Sequence, residues 1–312
     1  MIVEKEKKFV SAVAYLYRDE EYIEKFCLTL YRVFDDNFDN YEFIFVNDGC
    51  GASSISNIKD FVVKNKIPTV AFIHMGVHQG IEFAMNAGVD LAVGDFVYEF
   101  DSLCVDYDQQ LIIDTFRTAL QGFDVVSAVP QGRVRISSRL FYAAFNRFSR
   151  SCYNLRTERF RVLSRRAINR VAALSKAILY RKAAYANSGL SIESLTYKPI
   201  ITERVSSSDA FRSRKETAFN SFVLFTDFAY KVSMTLTILF LTLTFSGVIY
   251  TVVKYFGVHK PLEGWTTIML MISGGFSGVF LILAFMIKYL SVIIELVLKK
   301  QKYLIQSVEK IT

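Results

Sequence analysis

From Phe9 to Val129 the chain alternates short apolar runs with amphipathic stretches. The runs "FVSAVAYL", "YEFIFV", "TVAFIH", "FVYEF" and "DVVSAV" predict strands, and the stretches between them predict helices at Glu20–Phe34, Ser53–Lys64, Gly80–Val93 and Gln109–Leu120. Strands and helices in this alternation form a mostly parallel sheet covered on both faces, the α/β class. Ligands of such sheets bind beyond the carboxyl ends of the strands.

After Lys231 the pattern changes. "VSMTLTILFLTLTFSGVIYTVV" (232–253) and "WTTIMLMISGGFSGVFLILAFMI" (265–287) carry no charge over the roughly 20 positions needed to cross a bilayer. Core helices are usually shorter and carry polar punctuation, so the two runs are read as a transmembrane hairpin. Four segments follow: a cytoplasmic domain (1–211), an interfacial amphipathic segment (212–231) that mixes charge with Phe, Leu and Val, the hairpin (232–287), and a C-terminal cytoplasmic helix (288–312). Arg212, Arg214, Lys215 and Lys231 precede the hairpin and Lys288, Lys299, Lys300 and Lys302 follow it, against Lys254 and Lys260 in its loop. The positive-inside rule then places both termini in the cytoplasm of an integral membrane protein. The charged opening "MIVEKEKKFV" does not read as a signal peptide.

Composition refines this picture. The 312 residues allow one sizeable domain plus an appendage, or two small domains. The net charge of +7 gathers between Arg133 and Lys182 and at the membrane ends, which suits phosphate ligands and anionic headgroups rather than nucleic acid. Cys27, Cys50, Cys104 and Cys152 show no CxxC spacing and read as reduced packing residues.

The candidate chemistry gathers at predicted strand ends: Tyr17, Arg18, Asp19 and Glu20 after the first strand, Asn47, Asp48 and Gly49 after the second, Asp101 after the fourth. No GxGxxG follows the first strand and no GxxxxGK[ST] occurs, which disfavours dinucleotide enzymes and P-loop NTPases. Acids at strand ends suit a nucleotide gripped through base and ribose, with its diphosphate held through a metal. Asp19 and Asp48 could equally cap helices. Asp106 and Asp108, past the strand end, read as a helix-capping cluster.

These segments resemble glycosyltransferase family 2, and within it the polyprenyl-phosphate branch that includes dolichol-phosphate mannose synthase and bactoprenol glucosyltransferases. "VSAVAYLYRDEEYI" stands where the family has Pro-x-Tyr-Asn-Glu-Glu, "FVNDGC" where it has Val-Asp-Asp-Gly-Ser, and "HQGIEFAMNAGVDLAVGD" where it has Asn-x-Gly, then Ala-Gly and Gly-Asp. "SSRLFYAAFNRFS", "RFRVLSRRAI", "GWTTIMLMISGG" and "KYLSVIIELVLKKQKYLI" are similar to later segments of that branch. The chain departs from the pattern at Tyr15 for proline, Arg18 for asparagine, Asn47 for aspartate, His78 for asparagine, and Leu103 and Val105 for two residues on the metal side.

The resemblance implies a GT-A type fold and inverting transfer of a hexose from a nucleoside diphosphate sugar, a UDP-sugar, to a polyprenyl phosphate at the cytoplasmic membrane face. Such transfer serves cell-surface glycan synthesis or modification. It assigns nucleotide-sugar binding to Tyr17, Asp19, Asn47, Asp48, His78 and Gly80. Asp101 becomes the catalytic metal ligand, for a weakly held Mg2+ or Mn2+, and Arg133, Arg135 and Arg139 become the acceptor-phosphate arginines. A homo-oligomer is left open. A processive synthase would need a QxxRW motif, which the single tryptophan, Trp265, does not supply. The alternative is a catalytically silent relative that acts as a membrane scaffold.

Overall fold

The structure is a computed structural model that describes residues 5–17, 20–67, 69–131, 157–174, 181–200, 228–255, 264–298 and 303–311. Residues 1–218 and 298–312 form one compact unit and residues 219–297 a second.

In the first unit, β1 (Glu6–Leu16), β2 (Phe38–Asn47), β3 (Val70–Met75) and β4 (Phe96–Phe100) alternate with α1 (Ile23–Asn37), α2 (Ala52–Lys64) and α3 (Ile81–Leu91). Next come α4 (Gln110–Leu120), β5 (Val125–Pro130), β6 (Phe160–Ser164), α5 (Arg165–Leu174), α6 (Arg181–Asn187) and β7 (Ile192–Tyr197). The strands make one sheet in the order β7-β5-β6-β4-β1-β2-β3, closed on its far edge by β8 (Ile305–Ile311). Strands β4, β1, β2 and β3 are parallel, β5 is parallel to β7, and β6 and β8 run antiparallel to their neighbours. This is a GT-A-like α/β sheet.

Strand periodicity of two explains the layering. Val10, Ala12, Ala14 and Leu16 of β1 join Phe43 and Phe45 of β2 in one core, under α1, α2 and α4. Val13 and Tyr15 join Ile44 and Val46 in the other, under α3, α5 and α6. At Gly88, α3 approaches the sheet so closely that a Cβ would fall on the Val13 and Val46 side chains, so only glycine fits.

In the second unit, α7 (Phe228–Tyr255) and α8 (Trp265–Leu298) pair antiparallel: the Ser233 hydroxyl donates to the Phe280 carbonyl at 2.8 Å, and Phe240 stacks between Phe276 and Phe280. Their apolar stretches, Lys231–Tyr250 and Leu270–Leu290, are long enough to span a membrane and only 11% and 17% buried. So little burial argues against a core helix of a soluble protein. The interfacial segment expected before Phe228 lies largely outside the described residues.

One expectation is corrected. The chain after Ile287 is not a helix to its end: α8 stops at Leu298, and Ile305–Ile311 is a strand laid along β3. "IQSVEKI" has the alternating, β-branched pattern of a strand, and the open edge of β3 supplies the hydrogen bonds that decide the outcome.

Candidate active site

The carboxyl ends of β1 to β4 bring Tyr17, Asn47, Asp48, His78, Gly80 and Asp101 to one end of the sheet. Asp48 is fully buried. Its Oδ1 accepts from the Gln79 main-chain N–H at 2.8 Å, and its Oδ2 accepts from Gly80 N–H at 2.8 Å and the Tyr15 hydroxyl at 3.0 Å. The carboxylate thus pins the loop that opens α3, where Gly80 takes a φ of +87° that only glycine adopts readily. Asp48 is fully buried, and its oxygens hold the backbone of Gln79 and Gly80, just before α3, from across the sheet.

Asn47 is also committed. Its Oδ1 accepts from Gly49 N–H at 3.2 Å and Cys50 N–H at 2.7 Å, an Asx-type turn, and its Nδ2 lies 3.2 Å from His74 Nδ1. The two backbone donors occupy the lone pairs of the side-chain oxygen, and Asn47 shapes the turn.

What this end of the sheet offers a ligand is aromatic. The Tyr17 and His78 rings stack with centroids 4.3 Å apart and planes 17° apart, and the His78 side chain is 45% exposed. His78 Nδ1 lies 3.0 Å from both the Asp48 carbonyl oxygen and Asp48 Oδ2. Both are acceptors, so Nδ1 carries the proton.

Asp101, at the end of β4, sits at the edge of a buried charge cluster. Its Oδ1 accepts from Arg181 Nη2 and its Oδ2 from Arg161 Nη2, each at 2.7 Å. Arg181 also pairs with Glu82 and Glu99, and Arg161 with Glu99 and Glu158; Lys182 lies 3.8 Å from Glu158. Four carboxylates thus face three cations. The Tyr185 hydroxyl donates to Glu99 at 2.9 Å. Burial would raise the Asp101 pKa, but the Arg181 and Arg161 guanidiniums override it and hold the carboxyl well below the usual carboxylate range. Burial works against the charged form of Arg161 too, and Asp101, Glu158 and Glu99 outweigh it.

The neighbouring positions do not add oxygen ligands. Leu103 (1% exposed) and Val105 pack into the same core as Phe100 and Phe160. Asp106 is not a helix cap, as expected, but a buried partner of the Arg159 guanidinium and the Tyr197 hydroxyl; Asp108 does cap α4, accepting from Gln110 N–H at 2.8 Å. Among the described residues no group of three or more His, Cys, Asp or Glu side chains is arranged to hold a metal. A carboxylate has about four lone-pair sites. Asp101, 18% exposed with one guanidinium on each oxygen, therefore keeps capacity for a divalent ion completed by water and ligand oxygens. The two guanidiniums oppose any cation at this position.

Asp19, Arg133, Arg135 and Arg139 lie outside the described residues. Sequence reasoning does not single out Arg161, Arg181 or Gln79. A signal exists for the first: Arg161 in "FRVLS" and Glu99 in "FVYEF" are charges inside otherwise apolar strands, a placement that implies a buried pair.

Comparison with known proteins settles the kinship. The profile of glycosyl transferase family 2 matches residues 11–187, which takes in the strand ends, the Asp48 loop and the Asp101 cluster. The chain belongs to this family. Two family 2 relatives carry the likeness at sequence level: an uncharacterized glycosyltransferase of Synechocystis, 24% identical over 57% of this chain and 57% of its own, and the uncharacterized glycosyltransferase YkcC of Bacillus subtilis, 26% identical over 53% and 52%. The match thus spans just over half the length of either relative. Among solved structures, a mannosyltransferase from Pyrobaculum calidifontis in complex with GDP-Man and Mn2+ shares the fold, with a TM-score of 0.54 and 13% identity over 70% of this chain and 64% of that one. So does glucosyl-3-phosphoglycerate synthase from Mycobacterium tuberculosis in complex with Mn2+, UDP-Glc and phosphoglyceric acid, with a TM-score of 0.52 and 15% identity over 70% and 79%.

Proposed function

We propose that this family 2 domain transfers a hexose, with inversion, from a nucleoside diphosphate sugar to a polyprenyl phosphate at the cytoplasmic face of a membrane. The observation that carries the reading is β8. The strand that follows the second apolar helix completes the sheet that precedes the first. If the two helices cross a bilayer, both their flanks lie on the side of the candidate active site, and the lysines and arginines of those flanks favour the cytoplasm. A domain tethered in this way acts on acceptors at the bilayer surface.

The described residues have distinct parts in this reading. The Tyr17–His78 slab gives a nucleobase a π-face, while Asp48 fixes the loop beneath it. A divalent ion, Mg2+ or Mn2+, shared between Asp101 and the donor diphosphate would supply positive charge at the leaving group. The acceptor is a phosphate monoester with a second pKa near 6, so it arrives ionised and needs little general-base help. Its charge does need a counterpart. Guanidinium forks match phosphate oxygens, and Arg133, Arg135 and Arg139 are the residues proposed to supply them. Membranes holding the protein, given labelled UDP- and GDP-sugars with polyprenyl phosphate, should form a labelled glycolipid. If no donor gives product, the silent scaffold is the better reading.

A further inference from the structure

The ladder between β3 and β8 does not end with β3. After Met75 pairs with Ile305, Gly76 N–H donates to the Leu304 carbonyl at 3.2 Å. The Gln79 side chain then exchanges two hydrogen bonds with the Leu304 backbone: Nε2 donates to the carbonyl at 2.7 Å, and Oε1 accepts from the N–H at 2.9 Å. An amide side chain here does what a strand residue's backbone would do. The same residue's own N–H is held by Asp48 Oδ1, beside the Gly80 N–H on Oδ2. Gln79 is therefore fixed from two sides, by the centre of the sheet and by the tail that emerges from the second apolar helix. It directly follows His78, whose ring forms the aromatic slab.

We propose that Gln79 is a positioning residue: it couples the strand after the membrane hairpin to the donor-site loop, so that β8 docking sets nucleotide affinity. This inference rests on the proposed nucleotide-sugar site. Other ties hold β8 independently, namely the Lys59–Glu309 ion pair at 2.7 Å, the Tyr303 hydroxyl on Asp90 at 2.8 Å, and the pairing with β3 itself. Loss of the Gln79 amide should therefore loosen the loop without releasing the strand.

The test uses the full chain in nanodiscs, with UDP and GDP titrated by calorimetry and amide hydrogen exchange followed in parallel. Two hydrogen bonds separate Gln79→Ala from the parent, so affinity for whichever nucleotide binds should fall about tenfold. Exchange at the amides of positions 79 and 80 should accelerate while 305–311 stay protected. Gln79→Glu, which keeps the acceptor but turns an anionic oxygen towards the Leu304 carbonyl, should weaken binding at least as much as Gln79→Ala. Lys59→Ala, which removes an exposed tie elsewhere on β8, should leave affinity within about twofold. Parental affinity and unchanged exchange in Gln79→Ala overturn the proposal, and so does exchange that rises equally along 305–311, because the residue would then only hold the strand. If the parent binds neither nucleotide, the functional reading fails, and the exchange comparison still decides whether Gln79 couples loop and tail.

Discussion

Arg181 Nη2 lies 2.7 Å from Asp101 Oδ1, so the carboxylate expected to serve a metal is already the partner of a fully buried arginine. The two ends of this bond are not equivalent. Removing Asp101 leaves three carboxylates with three cations and two guanidinium N–H groups unpaired; removing Arg181 leaves four carboxylates with two cations.

Arg181→Met should therefore destabilise the domain more than Asp101→Asn. Breaking a buried pair by removing one partner costs roughly 3–5 kcal/mol, whereas a weakened hydrogen-bond acceptor costs about 1–3 kcal/mol. Thermal melts of the two variants and of the double variant give the order and the coupling. The reverse order, or strict additivity, would mean that the cluster does not act as one unit.

Asp48→Asn should be harmful although it preserves shape. Gln79, Gly80 and Tyr15 all donate to the carboxylate, and an amide NH2 would turn a donor towards one of them. A buried unsatisfied donor costs about 1–3 kcal/mol. Tyr15→Phe removes one donor and leaves the others served, so its effect should be smaller, about 1 kcal/mol. Denaturation midpoints of the two variants check the ranking.

Leu103→Asp should not restore a metal site. The leucine is 1% exposed in the core beside Phe100 and Phe160, so the new carboxylate would enter an apolar pocket without a cation. Burying an unpaired charge destabilises by several kcal/mol or forces protonation. Mn2+ titrated against nucleotide binding should show no gain in apparent metal affinity, and the melting temperature should drop. A gain in metal affinity with unchanged stability would show that this side chain reaches the ligand.

Much of the sheet is legible in the sequence because its signals are local. The apolar run "FVYEF" coincides with β4 at Phe96–Phe100, and the other strands and helices expected between Phe9 and Val129 differ from the observed ones only at their ends. The site is less legible because its chemistry depends on partners far away in sequence. Asp101 is paired with residues 60 and 80 positions further on, and the Asp48 oxygens are taken by Tyr15 and by backbone groups 31 and 32 positions away. A strand end lined with acids reads the same whether those acids face a ligand or a buried arginine. Strand β8 escapes a local reading for a related reason, since an exposed seven-residue segment becomes a strand only because β3 has an open edge.

The proposed topology can be tested at the same strand. A cysteine at Glu263, between the apolar helices, should react with an impermeant thiol reagent added to intact cells, and one at Gln306 in β8 should react only after lysis. The opposite pattern would place the candidate active site away from cytoplasmic nucleotide sugars.

The most direct measurement is transfer itself. Purified full-length protein in nanodiscs, supplied with polyprenyl phosphate, Mn2+ and a panel of labelled UDP- and GDP-sugars, should yield one sugar-phosphate lipid whose anomeric configuration is inverted relative to the donor. Removing the lipid phosphate should abolish the product. A product formed equally well on a soluble acceptor, or no product from any donor, would contradict the assignment of a membrane-lipid transferase.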